Sequence, residues 1–279
     1  MRSLISELID DANVFLVLLS YLLHIPAEYT SIPKSSSCRI FSAALHQREC
    51  GSCAAFAVST LSAMKACIQE NEDFIPSPFR VFDCTNATCD TGVTITRAAS
   101  IVEFGVGDID ASPRHYGLRC DLQWGQHRPT RLHITGHVIS RKQQIKAAIL
   151  FTGPVAGSMT RPIWRDWKSG VYHSLPADHP FASSVSKTLH AVVVVGWDSD
   201  DNWIIQNSWG REWGDEHGRG RVAADLLVDV NDPTIHIMKR FLTCCVLACM
   251  GGLLILAAVD LCAKRNHGSN AQPSAIQSP

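Results

Sequence analysis

The sequence lacks a charge excess of either sign: 25 Lys and Arg stand against 26 Asp and Glu over 279 residues, a net charge of −1. Nothing in that balance argues for a nucleic-acid partner. Internal repeats are absent, which excludes a solenoid or propeller. Metal motifs are missing too. His133 and His137 are four apart, but Gly136 lies between them and no glutamate base accompanies them, so they read as a loop. Cys84 and Cys89 have no matching second pair for a zinc knuckle. No metal and no cofactor are therefore assigned. Low complexity is confined to a polar tail, residues 266–279.

What is present begins with Gln47-Arg48-Glu49-Cys50-Gly51-Ser52-Cys53-Ala54-Ala55-Phe56. Ala57, Leu61, Met64 and Ile68 follow at helical spacing, so Cys53 is expected at the N-terminus of a helix with one apolar stripe. A thiol attacks only as its thiolate. The helix dipole favours that anion by roughly 0.3 to 1 kcal/mol, too little alone, so a histidine must supply the rest.

Among twelve histidines, His190 opens a run of four valines that reads as a buried strand. Asp198-Ser199-Asp200-Asp201-Asn202 forms a polar turn, and Trp203-Ile204-Ile205-Gln206-Asn207 returns. A hairpin centred between residues 198 and 199 would place His190 directly opposite Asn207. The Asn207 amide could then fix the imidazole tautomer while the other ring nitrogen meets the thiol.

These three blocks, the decapeptide, His190 and Asn207-Ser208-Trp209-Gly210, resemble the signatures of papain-like cysteine proteases, in the family's order. The similarity runs over about residues 25–222 and includes Gly153-Pro154-Val155, Lys168-Ser169-Gly170-Val171-Tyr172 and Trp213-Gly214. It implies an α+β fold of two lobes, one helical and carrying Cys53, the other an antiparallel sheet carrying His190, with the catalytic cleft between them. It implies cysteine-type endopeptidase activity on peptide or protein substrates. Cys53 would be the nucleophile, His190 the base and acid, Asn207 the orienter, and Gln47 an oxyanion donor beside the Cys53 N–H. Trp209 would shield the His–Asn bond, with Gly51 and Ser52 as further supporting positions.

Of eleven cysteines, four lie in the C-terminal apolar region, and setting Cys53 aside leaves six. By resemblance, Cys50 pairs with Cys89 and Cys84 with Cys120. Cys38 with Cys67 is similar to a bridge of the cathepsin B branch, as is Ile25-Pro26-Ala27-Glu28-Tyr29 to that branch's mature N-terminus. Three bridges imply an oxidising compartment. The sequon Asn86-Ala87-Thr88 agrees with a secretory or endolysosomal route and makes Asn86 a glycosylation site.

The chain departs from the family at Ala54, at Thr188-Leu189-His190-Ala191 and at Cys89-Asp90-Thr91-Gly92, where subsites are expected to be altered. The interval from Cys89 to Gly153 leaves no room for the cathepsin B occluding loop. Residues 1–24 hold a signal-like or signal-anchor segment, which leaves no recognisable prodomain, so activity is expected to be restrained by compartment pH or by an inhibitory partner of unknown identity. Residues 25–238 form the protease domain. Residues 239–263 read as a transmembrane helix with a basic flank: 241–259 carry no charge and span about 28 Å against a ~30 Å hydrocarbon core. With the protease domain lumenal or extracellular, residues 264–279 would form a short cytosolic tail.

Two rival readings follow from the same residues. Ala54, the altered glycine segment and the missing prodomain fit a catalytically impaired membrane protein that binds peptides or partners. Cys50-Gly51-Ser52-Cys53 is also a C-x-x-C, the pattern of a thiol-disulfide oxidoreductase, but the polar stretch before it is unlike the apolar strand such a site requires.

Overall fold

The computed structural model describes residues 25–120, 138–160, 167–173, 189–215 and 217–231. The expectations for residues 1–24, for His133 and His137, and for the segment and tail at 239–279 lie outside these. Among the described residues no helix is long and apolar enough to cross a membrane.

Helices dominate the first half. Helix α1 (Cys53–Glu70) is followed by α2 (Pro78–Asp83), started by proline at its first position, and α3 (Ile95–Phe104). Thr94 caps α3 by accepting from the Arg97 N–H at 3.2 Å, and Gly105 ends it at φ +98°, a conformation costly for any side chain. The second half is built on strands, with one further helix, α4 (Lys142–Thr152).

The strands are β1 (Tyr29–Thr30), β2 (Val138–Ile139), β3 (Val155–Thr160), β4 (Val171–Tyr172), β5 (Leu189–Trp197), β6 (Trp203–Gln206), β7 (Arg219–Val222) and β8 (Leu227–Asn231). Their order is β2-β8-β3-β5-β6-β7-β4, with β1 on β5, antiparallel except for β4 against β7. The valines of β5 are buried on both faces because α1 covers one side of this central strand.

Helix α1 corrects the expectation of a single apolar stripe. Every residue from Ala54 to Lys65 is buried, while Ile68 is 41% exposed. The helix lies between α2 and α3 on one side and the sheet on the other, so no face is left for water. Even Lys65 is enclosed: its ammonium donates to the Thr152 carbonyl at 2.9 Å, at the C-terminal end of α4 where the dipole favours a cation.

The β5–β6 hairpin also departs from the expected register. Val193 pairs with Gln206 and Val194 with Ile205, but Gly196 pairs with Ile204 and Trp197 with Trp203, so a bulge falls between Val194 and Gly196. The turn is held by the Asp198 carboxylate, which accepts from the Asp200 and Asn202 N–H groups. Continued one step past β6, this register puts Val192, not His190, opposite Asn207.

Three disulfides stitch the helical lobe: Cys38–Cys67, Cys50–Cys89 and Cys84–Cys120, with Cα separations of 6.3, 4.4 and 4.6 Å. Each closes a loop long enough to contribute about 3 to 4 kcal/mol in the chain-entropy picture.

Candidate active site

Cys53 is the first residue of α1 and stands outside the three disulfides, partly exposed. Its placement depends on Gly51. The Gly51 N–H donates to the Cys89 carbonyl at 2.9 Å, and a Cβ on Gly51 would lie 2.5 Å from that same oxygen. Only glycine lets the chain approach so closely before turning into the helix.

Across the cleft, His190 sits near the start of β5, 3% exposed. Its Nε2 lies 2.8 Å from Asn207 Oδ1. The amide oxygen accepts, which puts a proton on Nε2 and leaves Nδ1 as the ring's other nitrogen. Asn207 Oδ1 also accepts from the Ser208 N–H at 2.8 Å, so the amide orientation is fixed by a backbone donor. The Trp209 ring lies 4.9 Å from the imidazole at an interplanar angle of 36°, covering it, and is backed edge-on by Trp213 at 6.0 Å.

Gln47 is 5% exposed and held at every polar atom. Its Oε1 accepts from Ser208 Oγ at 2.6 Å, and its Nε2 donates to the Cys50 carbonyl at 2.8 Å. An amide nitrogen has two protons, so one remains for the cleft that Gln47 lines. Its own N–H donates to the Ser208 carbonyl at 2.9 Å, and Gly210 N–H donates to the Leu45 carbonyl at 3.0 Å. These bonds zip the chain around residue 46 to the chain after β6, joining the two lobes beside the site.

The cleft holds about 730 Å³. Gln47, Cys53, His190 and Trp209 line it, with residues 89–94 and Arg97 as one wall and Leu189, 59% exposed, beside the histidine. The altered positions therefore fall into two groups. Leu189 and Asp90-Thr91-Gly92 face the cleft, while Ala54 is 1% exposed and sits within the core. Asn86, exposed and at φ +59°, lies between Thr85 and Ala87, two residues of the cleft wall.

Tyr116 has no place in the sequence reading, yet its hydroxyl donates to the Gln47 carbonyl at 2.7 Å and lies 2.6 Å from Ser52 Oγ. Burial pushes this hydroxyl's pKa up, against the opposing bond from Ser52. Its nearness to Cys120 is the one signal that could have found it, since pairing Cys120 with Cys84 folds residue 116 back towards α2. Among the described residues no group of three or more His, Cys, Asp or Glu side chains could hold a metal ion.

The model of the papain family of cysteine proteases matches residues 32–227. Among similar proteins are a cysteine protease of Blomia tropicalis, 27% identical over 60% of this chain and 54% of the relative, and cathepsin R of Mus musculus, 27% identical over 60% and 53%. The chain spans about half the length of such relatives. Procathepsin L 3 of Tenebrio molitor shares the fold, with a TM-score of 0.61 at 22% identity over 80% of this chain and 79% of that one. Bromelain of Ananas comosus, solved with the E64 inhibitor, does so at a TM-score of 0.56 and 22% identity over 75% and 99%. With a papain-like α+β fold, a cysteine at a helix N-terminus and a histidine across one cleft, the chain belongs to the papain family of cysteine proteases.

Proposed function

We propose that this chain is a cysteine endopeptidase acting through Cys53, His190 and Asn207. The 2.8 Å bond between His190 Nε2 and Asn207 Oδ1, made in the cleft that Cys53 also lines, carries the reading. Because Asn207 accepts from Nε2, Nδ1 is the nitrogen left to take the thiol proton. The Cys53 thiolate attacks the substrate carbonyl carbon. The carbonyl oxygen takes up the negative charge, met by the second Gln47 Nε2 proton and the Cys53 N–H. When the C–N bond breaks, imidazolium His190 protonates the departing amine. Water then attacks the thioester, its proton passing to His190, and the thiolate returns to the start. Trp209 keeps water from the His190–Asn207 bond.

Three disulfides and the exposed Asn86 sequon support an oxidising, secretory or endolysosomal location with Asn86 glycosylated. The uncharged run at 241–259 supports a single membrane anchor with a lumenal or extracellular catalytic domain. Kinship with the cathepsin B branch rests on Cys38–Cys67 and Ile25–Tyr29, whereas the similar proteins are of cathepsin L and papain type.

The test is hydrolysis of quenched fluorescent peptides by the full chain under mild reduction. Cleavage within the peptide that Cys53→Ala abolishes supports the reading. A folded chain that binds the peptides without cutting them replaces it with the binding reading.

A further inference from the structure

The proposed oxyanion donors come from two separate stretches of chain, Gln47 and the first turn of α1. Tyr116 touches both. A carbonyl oxygen can only accept, so the phenolic proton is committed to the Gln47 carbonyl at 2.7 Å, and Ser52 Oγ, 2.6 Å away, must donate to the phenolic oxygen. Ser52 is fully buried, occupies the N-cap position of α1 without a side-chain capping bond and directly precedes Cys53. One hydroxyl thus ties the Gln47 backbone to the residue that sets where the Cys53 N–H points.

A second, independent observation is how firmly the Tyr116 segment is held. Its ring packs on Phe79 and Phe82, with centroids 5.0 and 5.4 Å away. The N–H groups of Gly117 and Leu118 donate to the Asp83 carboxylate at 3.0 and 3.2 Å. Arg80 pairs with Asp83 at 2.7 Å and also donates to the His115 carbonyl at 2.5 Å, both side chains at most 5% exposed. Cys120, bonded to Cys84, closes the segment. A buried ion pair and a disulfide converge on five residues whose inward-reaching group is the Tyr116 hydroxyl.

We infer that Tyr116 is a positioning residue for the oxyanion site, its hydroxyl fixing Gln47 relative to the Cys53 N–H. This rests on the endopeptidase reading above. The raised pKa keeps the hydroxyl protonated, so the clamp does not open across the neutral and acidic range.

Tyr116→Phe in the full chain keeps the ring and deletes the clamp. Two rates separate positioning from structure: peptide hydrolysis, which develops an oxyanion, and alkylation of Cys53 by iodoacetamide, which does not. The expected result is a fall in kcat of about 10-fold, short of the 10²–10³ for losing a donor outright, with KM and the alkylation rate within about 2-fold of native. Unchanged kcat, or an equal fall in alkylation, overturns the inference. Should Tyr116→Phe not accumulate, Ser52→Ala removes the other half of the clamp and carries the same split: a smaller loss in kcat with unchanged alkylation supports it, and parallel losses overturn it. A native chain that alkylates at Cys53 but cleaves no peptide removes the endopeptidase reading and this inference with it, and that control is read before any variant.

Discussion

His190 Nε2 lies 2.8 Å from Asn207 Oδ1 although the two residues are not opposite one another in the β5–β6 ladder. The bulge between Val194 and Gly196 moves the register, so the pair meets diagonally, two positions apart on one face. The Ser208 N–H on the same amide oxygen compensates by locking the asparagine. Asn207→Ala should therefore lower kcat/KM by about 10²-fold, through misplacement of the imidazole, while thermal unfolding stays near native. Unchanged kinetics would show that the imidazole is oriented by Trp209 packing alone.

Gly51 is intolerant of any side chain. A Cβ there would sit 2.5 Å from the Cys89 carbonyl, which is backbone and held by the adjoining disulfide. Gly51→Ala should cost about 1 to 3 kcal/mol and displace Cys53. Thermal unfolding of the oxidised protein reads the loss, and a melting temperature equal to native would contradict it.

The Arg80–Asp83 pair is buried, and Arg80 Nε and Nη1 have no hydrogen-bond partner among the described residues. Asp83→Asn leaves that charge uncompensated and, with a single oxygen left to accept, takes the acceptor from one of the Gly117 and Leu118 N–H groups. The substitution should destabilise by about 3 kcal/mol, seen as a lower urea midpoint at unchanged slope.

Asp201 receives Lys146 and Lys142, and the hydrogen bond from Lys146 is the main cause of its lowered pKa. A depressed carboxylate pKa contributes stability that is present above the unfolded value near ~3.9 and is lost as pH falls through the lower folded value. Because Asp201 is 47% exposed, the effect is small. Asp201→Asn should unfold slightly earlier than native at pH 7, and the two curves should converge as pH drops below the lowered folded value. A gap that persists there would assign the effect to packing.

Helix α3 carries its signals locally, in Thr94 that caps it and Gly105 that stops it. Strand β5 was legible from its valines. The hairpin register was not, since a bulge is set by packing against β1 and β3 and leaves no composition mark. Ile68 read as core by spacing, but the last turn of α1, residues 68–70, is exposed and leaves it at the surface. Gln47, Cys53 and His190 stood out through blocks of neighbouring residues, whereas Tyr116 is joined to them only by tertiary contacts spanning more than sixty positions.

The proposed activity stands on Cys53 being a thiolate held by His190. Labelling with a thiol-directed epoxysuccinyl probe tests it most directly, using the full chain from an oxidising host beside Cys53→Ala and His190→Ala. A working thiolate–imidazolium pair gives a probe adduct on Cys53 in the native chain, none in Cys53→Ala and far slower labelling in His190→Ala. No adduct in a folded chain with its three disulfides intact, or labelling indifferent to His190, would contradict it.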